Sequence, residues 1–184
     1  MRKILSLLFV LSVMVVGLRA GEQFSAEVFG SLLIPGDSGY KDIYGKSMFY
    51  PAIKAGYALS ERFFIWAGYG FLCRKGETPV LKLEAKSNQH FFSLGAGYRG
   101  KLSDKLGYEA ALGLVMVSYK EEAMGTSASG SAFGLRADGG LSCALFGPVF
   151  AVAELGYIYS SDKVEGETVK PGGFKAGLGL GVKF

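Results

Sequence analysis

The chain has one histidine, His90, so any acid–base or metal chemistry that needs imidazole must be built on it. A nucleophilic hydroxyl needs such a base within hydrogen-bond reach. Ser93 follows three residues later, and in an extended chain that odd spacing puts the two side chains on opposite faces. The two cysteines, Cys73 and Cys143, show neither metal-ligand spacing nor a disulfide framework. What remains is a set of solitary charges among small residues: Glu27, Lys54, Glu109, Arg136, Asp138 and Glu154. Each stands on the glycine-, alanine- and serine-rich side of an alternating segment. Charges in such a setting must be paired to be tolerated. The chemistry they offer is ion pairing: Glu27 beside Lys54, and Arg136 between Glu109 and Glu154.

The elements that carry these residues alternate with period two. In 174–184 one face is Phe174, Ala176, Leu178, Leu180, Val182 and Phe184, and the other is Lys175, Gly177, Gly179, Gly181 and Lys183. This is a strand with one apolar face and one small or charged face. The same split recurs in 23–34, 49–58, 90–99, 106–119, 132–142 and 149–159. Segment 63–73 also alternates, but it puts Trp66 on the glycine side, and a bulge would reverse part of it. The connections run long and short in turn. The long ones are 35–47, 74–88, 120–131 and 160–172, and the short ones are 59–62, 100–105 and 143–147. Seven connections make eight strands. Short turns on one side and long loops on the other belong to membrane β-barrels with short periplasmic turns.

The apolar face is expected to meet lipid. A soluble barrel keeps its apolar face inside and covers its outside with charge, whereas here the second face carries about one charge per strand. That face suits a narrow interior, which eight strands fill with side chains. Lipid also demands a closed barrel, so that no backbone edge is left unpaired. Tyr57, Phe63, Tyr98 and Tyr108 near the short turns, and Phe49, Phe71, Tyr157 and Tyr159 toward the long loops, mark two interfacial girdles.

The first 20 residues read as a secretory signal. Arg2 and Lys3 precede the apolar run 4–18, and small residues follow, with the cut placed after Ala20. Residues 21–184 then form one barrel domain. Removing Arg2, Lys3 and Arg19 leaves a nearly neutral chain, so the sequence pI near 9.0 does not point to nucleic acid. No cofactor or metal is expected.

With Leu178, Leu180, Val182 and the terminal Phe184 at alternate positions, the chain resembles the small outer-membrane barrel superfamily that includes the OmpA transmembrane domain and OmpX. The resemblance covers roughly Gly21 to Phe184. It implies an outer-membrane location in a Gram-negative-type bacterium. It also implies outer-membrane lipid as the surroundings, and recognition of that terminal pattern by the barrel-insertion machinery. The peptidoglycan-binding domain that OmpA adds after its eighth strand is not expected here. Some barrels of this size deacylate lipid A or transfer palmitate to it, but the His-x-Ser spacing of the deacylases is absent. A soluble lipocalin-like carrier would have eight strands and a signal peptide, but the early Gly-x-Trp of lipocalins is missing. The sequence favours a structural or surface-interaction protein, adhesin-like through its outer loops, with an unidentified surface ligand.

Overall fold

The computed structural model describes residues 23–79, 82–123, 126–164 and 167–184. The expected signal segment, residues 1–20, lies outside the described residues. The strands among the described residues are β1 (Phe24–Pro35), β2 (Met48–Ala58), β3 (Phe63–Glu77), β4 (Glu84–Lys101), β5 (Leu106–Ala123), β6 (Thr126–Phe146), β7 (Val149–Val164), β8 (Glu167–Val169) and β9 (Gly173–Lys183), and the helix among them is α1 (Ser38–Tyr44). Every pairing is antiparallel. The order runs from β6 through β5, β4, β3, β2 and β1 to β9 and β7, and β6 pairs with β7 to close the ring. β8 pairs with the far end of β7. The barrel wall therefore has eight strands, as the alternation of connections indicated.

Burial follows the period-two pattern. Val28, Leu32, Phe49, Leu112, Leu114, Phe133 and Leu178 point outward and are each more than half exposed. So much contiguous apolar surface is far beyond what a water-soluble monomer presents, and it forms the band that a lipid tail covers. Phe24 and Phe184 stack at 6.1 Å where the first and last strands meet. Their backbones exchange two hydrogen bonds there, at 2.8 and 2.9 Å.

The short turns rest on serine. In the β2–β3 turn the Ser60 hydroxyl oxygen accepts from the backbone N–H of Arg62 and of Phe63. In the β4–β5 turn Ser103 accepts from the Leu106 N–H. Such local side-chain bonds favour turns over continued strand. The β6–β7 turn uses Gly147 at φ 51° and is preceded by a register shift between Ala144 and Phe146.

Three of the four long connections differ from the sequence reading. Segments 74–88, 120–131 and 160–172 are mostly strand: pairing continues to Glu77↔Glu84, to Ala123↔Thr126 and, through β8, to Val164↔Glu167. Above the lipid band a strand needs no apolar outward face, so its alternation disappears from the sequence while its hydrogen bonds persist. The fourth connection holds α1, whose N-cap Asp37 accepts from the Tyr40 N–H at 3.0 Å.

Trp66 points into the lumen, only 2% exposed, and β3 pairs with both neighbours without a shift along its barrel portion. No bulge is needed, because glycine makes the room. A Cβ at Gly113 would stand 2.8 Å from the Trp66 ring, and one at Gly68 would stand 3.3 Å from it.

Candidate functional site in the barrel lumen

All six charges singled out from the sequence lie on the lumen side. Five of them are buried and Glu109 is partly so. They form two groups. In the first, the Lys54 amine is 2.5 Å from Glu109 Oε1 and 3.5 Å from Glu27 Oε2. It also lies 5.9 and 5.7 Å from the centres of the Phe29 and Phe64 rings. In the second group, Arg136 Nε donates to Asp138 Oδ2 at 2.7 Å, and its Nη2 is 3.9 Å from Glu154 Oε1. Arg136 Nη1 reaches the Ser93 hydroxyl at 3.4 Å, and the guanidinium lies 5.0 Å from the Trp66 ring centre.

Two features differ from the sequence reading. Glu109 does not join Arg136; it reaches across the lumen to Lys54, because parity assigns a face but not a partner across a closed ring. Lys175 belongs to the second group, 1% exposed, 2.9 Å from Asp138 Oδ1 and paired with Glu154. Its parity had put it on the lumen face, and that was the available signal. The seven groups comprise four carboxylates and three cations. Lys54 and Lys175 meet Glu27 Oε2 and Asp138 Oδ1 as ion pairs, and Glu154 Oε2 is buried without a hydrogen-bond partner among the described residues.

Toward the long hairpins the lumen turns apolar. Leu33, Met48, Tyr50, Leu72, Phe91, Val115, Val117 and Ile158 form one buried cluster with Tyr44 of α1. Here α1 lies over the mouth. Its Tyr40 hydroxyl bonds the Ser87 hydroxyl at 3.0 Å, and Arg74 Nε donates to the Tyr44 carbonyl at 3.2 Å. Burial pushes the Tyr40 phenol up to about 12 and the Tyr44 phenol up as well. The Tyr119 hydroxyl donates to Asp162 Oδ2 at 2.8 Å. A cavity of about 160 Å3 beneath the helix is lined by Tyr40, Tyr44, Gln89 and Glu121, among others.

Glu121 gives this mouth a pH dependence. Burial raises its pKa, the hydrogen bond to Ser87 offsets part of the rise, and the Asp37 charge adds to it. A carboxyl whose folded pKa is raised contributes stability below its ordinary value of 4.5, and that stability is lost as pH climbs through the raised value. Amide protection of α1, corrected for intrinsic exchange, should therefore be greater at pH 4 than at pH 7.5. In Glu121→Gln the difference should vanish.

His90 and Ser93 part as their spacing indicated. His90 faces outward with Nδ1 2.8 Å from the Tyr69 hydroxyl, whereas Ser93 is buried in the lumen. Cys73 and Cys143 are both free thiols, the first on the long-hairpin half of β3 and the second three residues before the end of β6 at the short turns.

The family model described as the outer membrane protein β-barrel domain matches residues 5–184. The fold is similar to the crystal structure of the outer membrane protein OprG of Pseudomonas aeruginosa, at 13% identity and a TM-score of 0.68, with 88% of this chain and 95% of that one covered. It is similar to Neisserial surface protein A, at 18% identity and a TM-score of 0.60, covering 88% and 96%. It is also similar to Ail, the attachment invasion locus protein of Yersinia pestis, in its complex with the heparin analogue sucrose octasulfate, at 19% identity and a TM-score of 0.59, covering 89% and 100%. No curated protein matches the chain.

Proposed function

The chain belongs to the outer membrane protein β-barrel domain family, and from that membership we propose that it is a surface-interaction protein whose barrel is closed by its own side chains and whose outer hairpins meet the ligand. It resides in the outer membrane of a Gram-negative-type bacterium, with the short turns on the periplasmic side. The observation that carries the reading is the division of the molecule along its axis. Ion pairs occupy the periplasmic half of the lumen, and an apolar cluster under α1 occupies the outer half. No step of this arrangement depends on water flow through the centre. Above it, β3 to β6 continue as paired strands with Lys75, Glu84, Lys86, Lys120 and Glu122 exposed on them.

Paired strands hold such side chains in a fixed array, which lowers the ordering cost of binding. Ail is an attachment invasion locus protein, and its complex holds a sulfated sugar. That likeness supports an adhesive role here, without fixing the ligand. The test is surface binding by cells that display the intact chain, compared with a variant in which the β5–β6 hairpin is cut back to the barrel rim. Loss of adhesion to immobilised host glycans and matrix proteins, with heat-modifiable gel mobility kept, supports the reading. Equal adhesion by both contradicts it.

The last strand is assigned an assembly role. Leu178 and Leu180 are exposed to lipid, and Phe184 stacks on Phe24 beside Val182. Burying one ring fully contributes at most about 1.5–3 kcal/mol, and Phe184 is only partly covered. Deleting it should hardly move the unfolding midpoint of refolded barrel. In cells it should leave protein in the periplasm, because the barrel-insertion machinery would miss its signal. Normal outer-membrane levels of the deleted form would remove that assignment. Cleavage after Ala20 belongs to the same proposal and is read directly by N-terminal sequencing.

A further inference from the structure

At the outer mouth, the cavity of about 160 Å3 under α1 combines hydrogen-bond acceptors with aromatic walls. Ser87, 1% exposed, arranges the acceptors. Its hydroxyl oxygen accepts from Tyr40 at 3.0 Å and from the Gln89 amide nitrogen at 3.4 Å, and its own proton goes to Glu121. Gln89 lines the cavity and is 3% exposed, and its carbonyl oxygen meets no donor among the described residues. Glu121 also lines it, and one bond from Ser87 leaves most of the acceptor capacity of that carboxylate unused. Asp37 brings a second carboxylate, whose Oδ1 caps α1 on the Tyr40 N–H and whose Oδ2 is left over. A cavity this small brings these oxygens within reach of one donor group.

Tyr40 and Tyr44 form the wall on the helix side, with ring centres 4.5 Å apart. The Glu121 charge acts on both phenols, so the carboxylate and the rings share one space. Leu33, Met48 and Leu72 add an apolar lining. Arg74 is held on the Tyr44 carbonyl and does not line the cavity. Lys170 stands at the edge beside Thr168; both are exposed, and Lys170 makes no ion pair among the described residues. We infer that this cavity binds a primary alkylammonium group, with its three N–H donors on Glu121, Gln89 and Asp37 and its methylene stem against Tyr40 and Tyr44. An ammonium carries three donors and no acceptor, which complements this set of oxygens, and aromatic rings favour a cation beside them. The volume suits a side-chain-sized group, well below a drug-sized ligand. The inference needs only the outward orientation of this mouth, so it stands or falls separately from adhesion.

The test is calorimetric titration of the barrel, refolded in maltoside micelles at pH 7.5, with n-butylamine. Two probes accompany it: butan-1-ol, which lacks the charge, and tetramethylammonium, which keeps the charge but has no N–H. One-to-one binding of the amine is expected, with both other probes weaker by about tenfold or more. Lysine blocked at both ends, Nα-acetyl-lysinamide, separates the sources: affinity like that of butylamine admits a lysine side chain of a partner protein, and lower affinity restricts the site to free amines. Glu121→Gln should weaken butylamine by about tenfold or more. That variant removes a charge that is costly to bury, so α1 stays in place and loss of binding is not loss of the wall. The probe comparison uses the unaltered chain and stands whatever the variant does. Absence of saturable binding up to about 10 mM, or equal affinity for the amine and either companion, overturns the inference. Binding that appears only after Lys170→Met also overturns it, because the cavity would then belong to the chain's own lysine.

Discussion

Lys54→Met should lower the stability of the folded barrel by roughly 3–5 kcal/mol, the usual cost of breaking a buried ion pair from one side. The cause is local. Lys54 is the cation between Glu27 and Glu109, and its amine lies within 3.5 Å of both carboxylates. Methionine fills the same space but leaves two acids facing each other at low dielectric, where each charge costs most. The effect should appear as a lower urea midpoint for refolding into lipid vesicles. The companion variant Lys163→Met, at an exposed position on the outer part of β7, should cost under about 0.5 kcal/mol. Combining Lys54→Met with Glu27→Gln and Glu109→Gln should restore most of the loss, because the charges that needed the amine are then gone. If all three forms unfolded at the wild-type midpoint, the ion pairs would have no part in holding the barrel.

Arg136→Met should cost a similar amount, again roughly 3–5 kcal/mol. Arg136 bonds Asp138 at 2.7 Å, approaches Glu154 at 3.9 Å and covers the Trp66 ring. Lys175 remains beside both acids, at 2.9 Å from Asp138 and in contact with Glu154. That second cation sets the expected ranking: Arg136→Met toward the lower end of the range, and Arg136→Met with Lys175→Met well beyond either alone. Groups in one network are not additive, and the excess in the double variant measures how far each cation covers for the other. Fluorescence of Trp66 offers an independent reading, since its ring loses the guanidinium lying 5.0 Å from its centre. A double variant no worse than the single one would mean that Lys175 does not share the two acids.

The membrane-embedded part of the fold was legible because lipid enforces it. Phe174 to Phe184 alternates without a break, and its pairings with β1 and β7 follow that alternation. The strand extensions were hidden for the same reason in reverse. In 73–77 and 84–88 the outward residues are polar or charged and the buried ones, Ala85 and Ser87, are small, so no apolar face marks a strand, although Arg74↔Ser87 and Lys75↔Lys86 pair as in any hairpin. Parity gave the inward face of Glu27, Lys54, Glu109, Arg136, Asp138 and Glu154, because a lone charge among glycines has one plausible side. It gave no partner across the ring. Lys54 sits on β2 and Glu109 on β5, and only closure and strand tilt bring them to 2.5 Å. Trp66 looked anomalous because its room comes in part from Gly113 on β5, which no local window around Trp66 contains.

The proposed closure of the lumen by its own side chains is open to single-channel recording. Purified barrel, shown to be folded by its heat-modifiable mobility, is inserted into a planar lipid bilayer in concentrated potassium chloride. The buried ion pairs and the apolar cluster from Leu33 to Ile158 predict a current that stays at the bilayer baseline. Eight strands leave an interior just wide enough for those side chains. Long-lived steps of constant size, rising in proportion to salt concentration as in a water-filled pore, would contradict the claim.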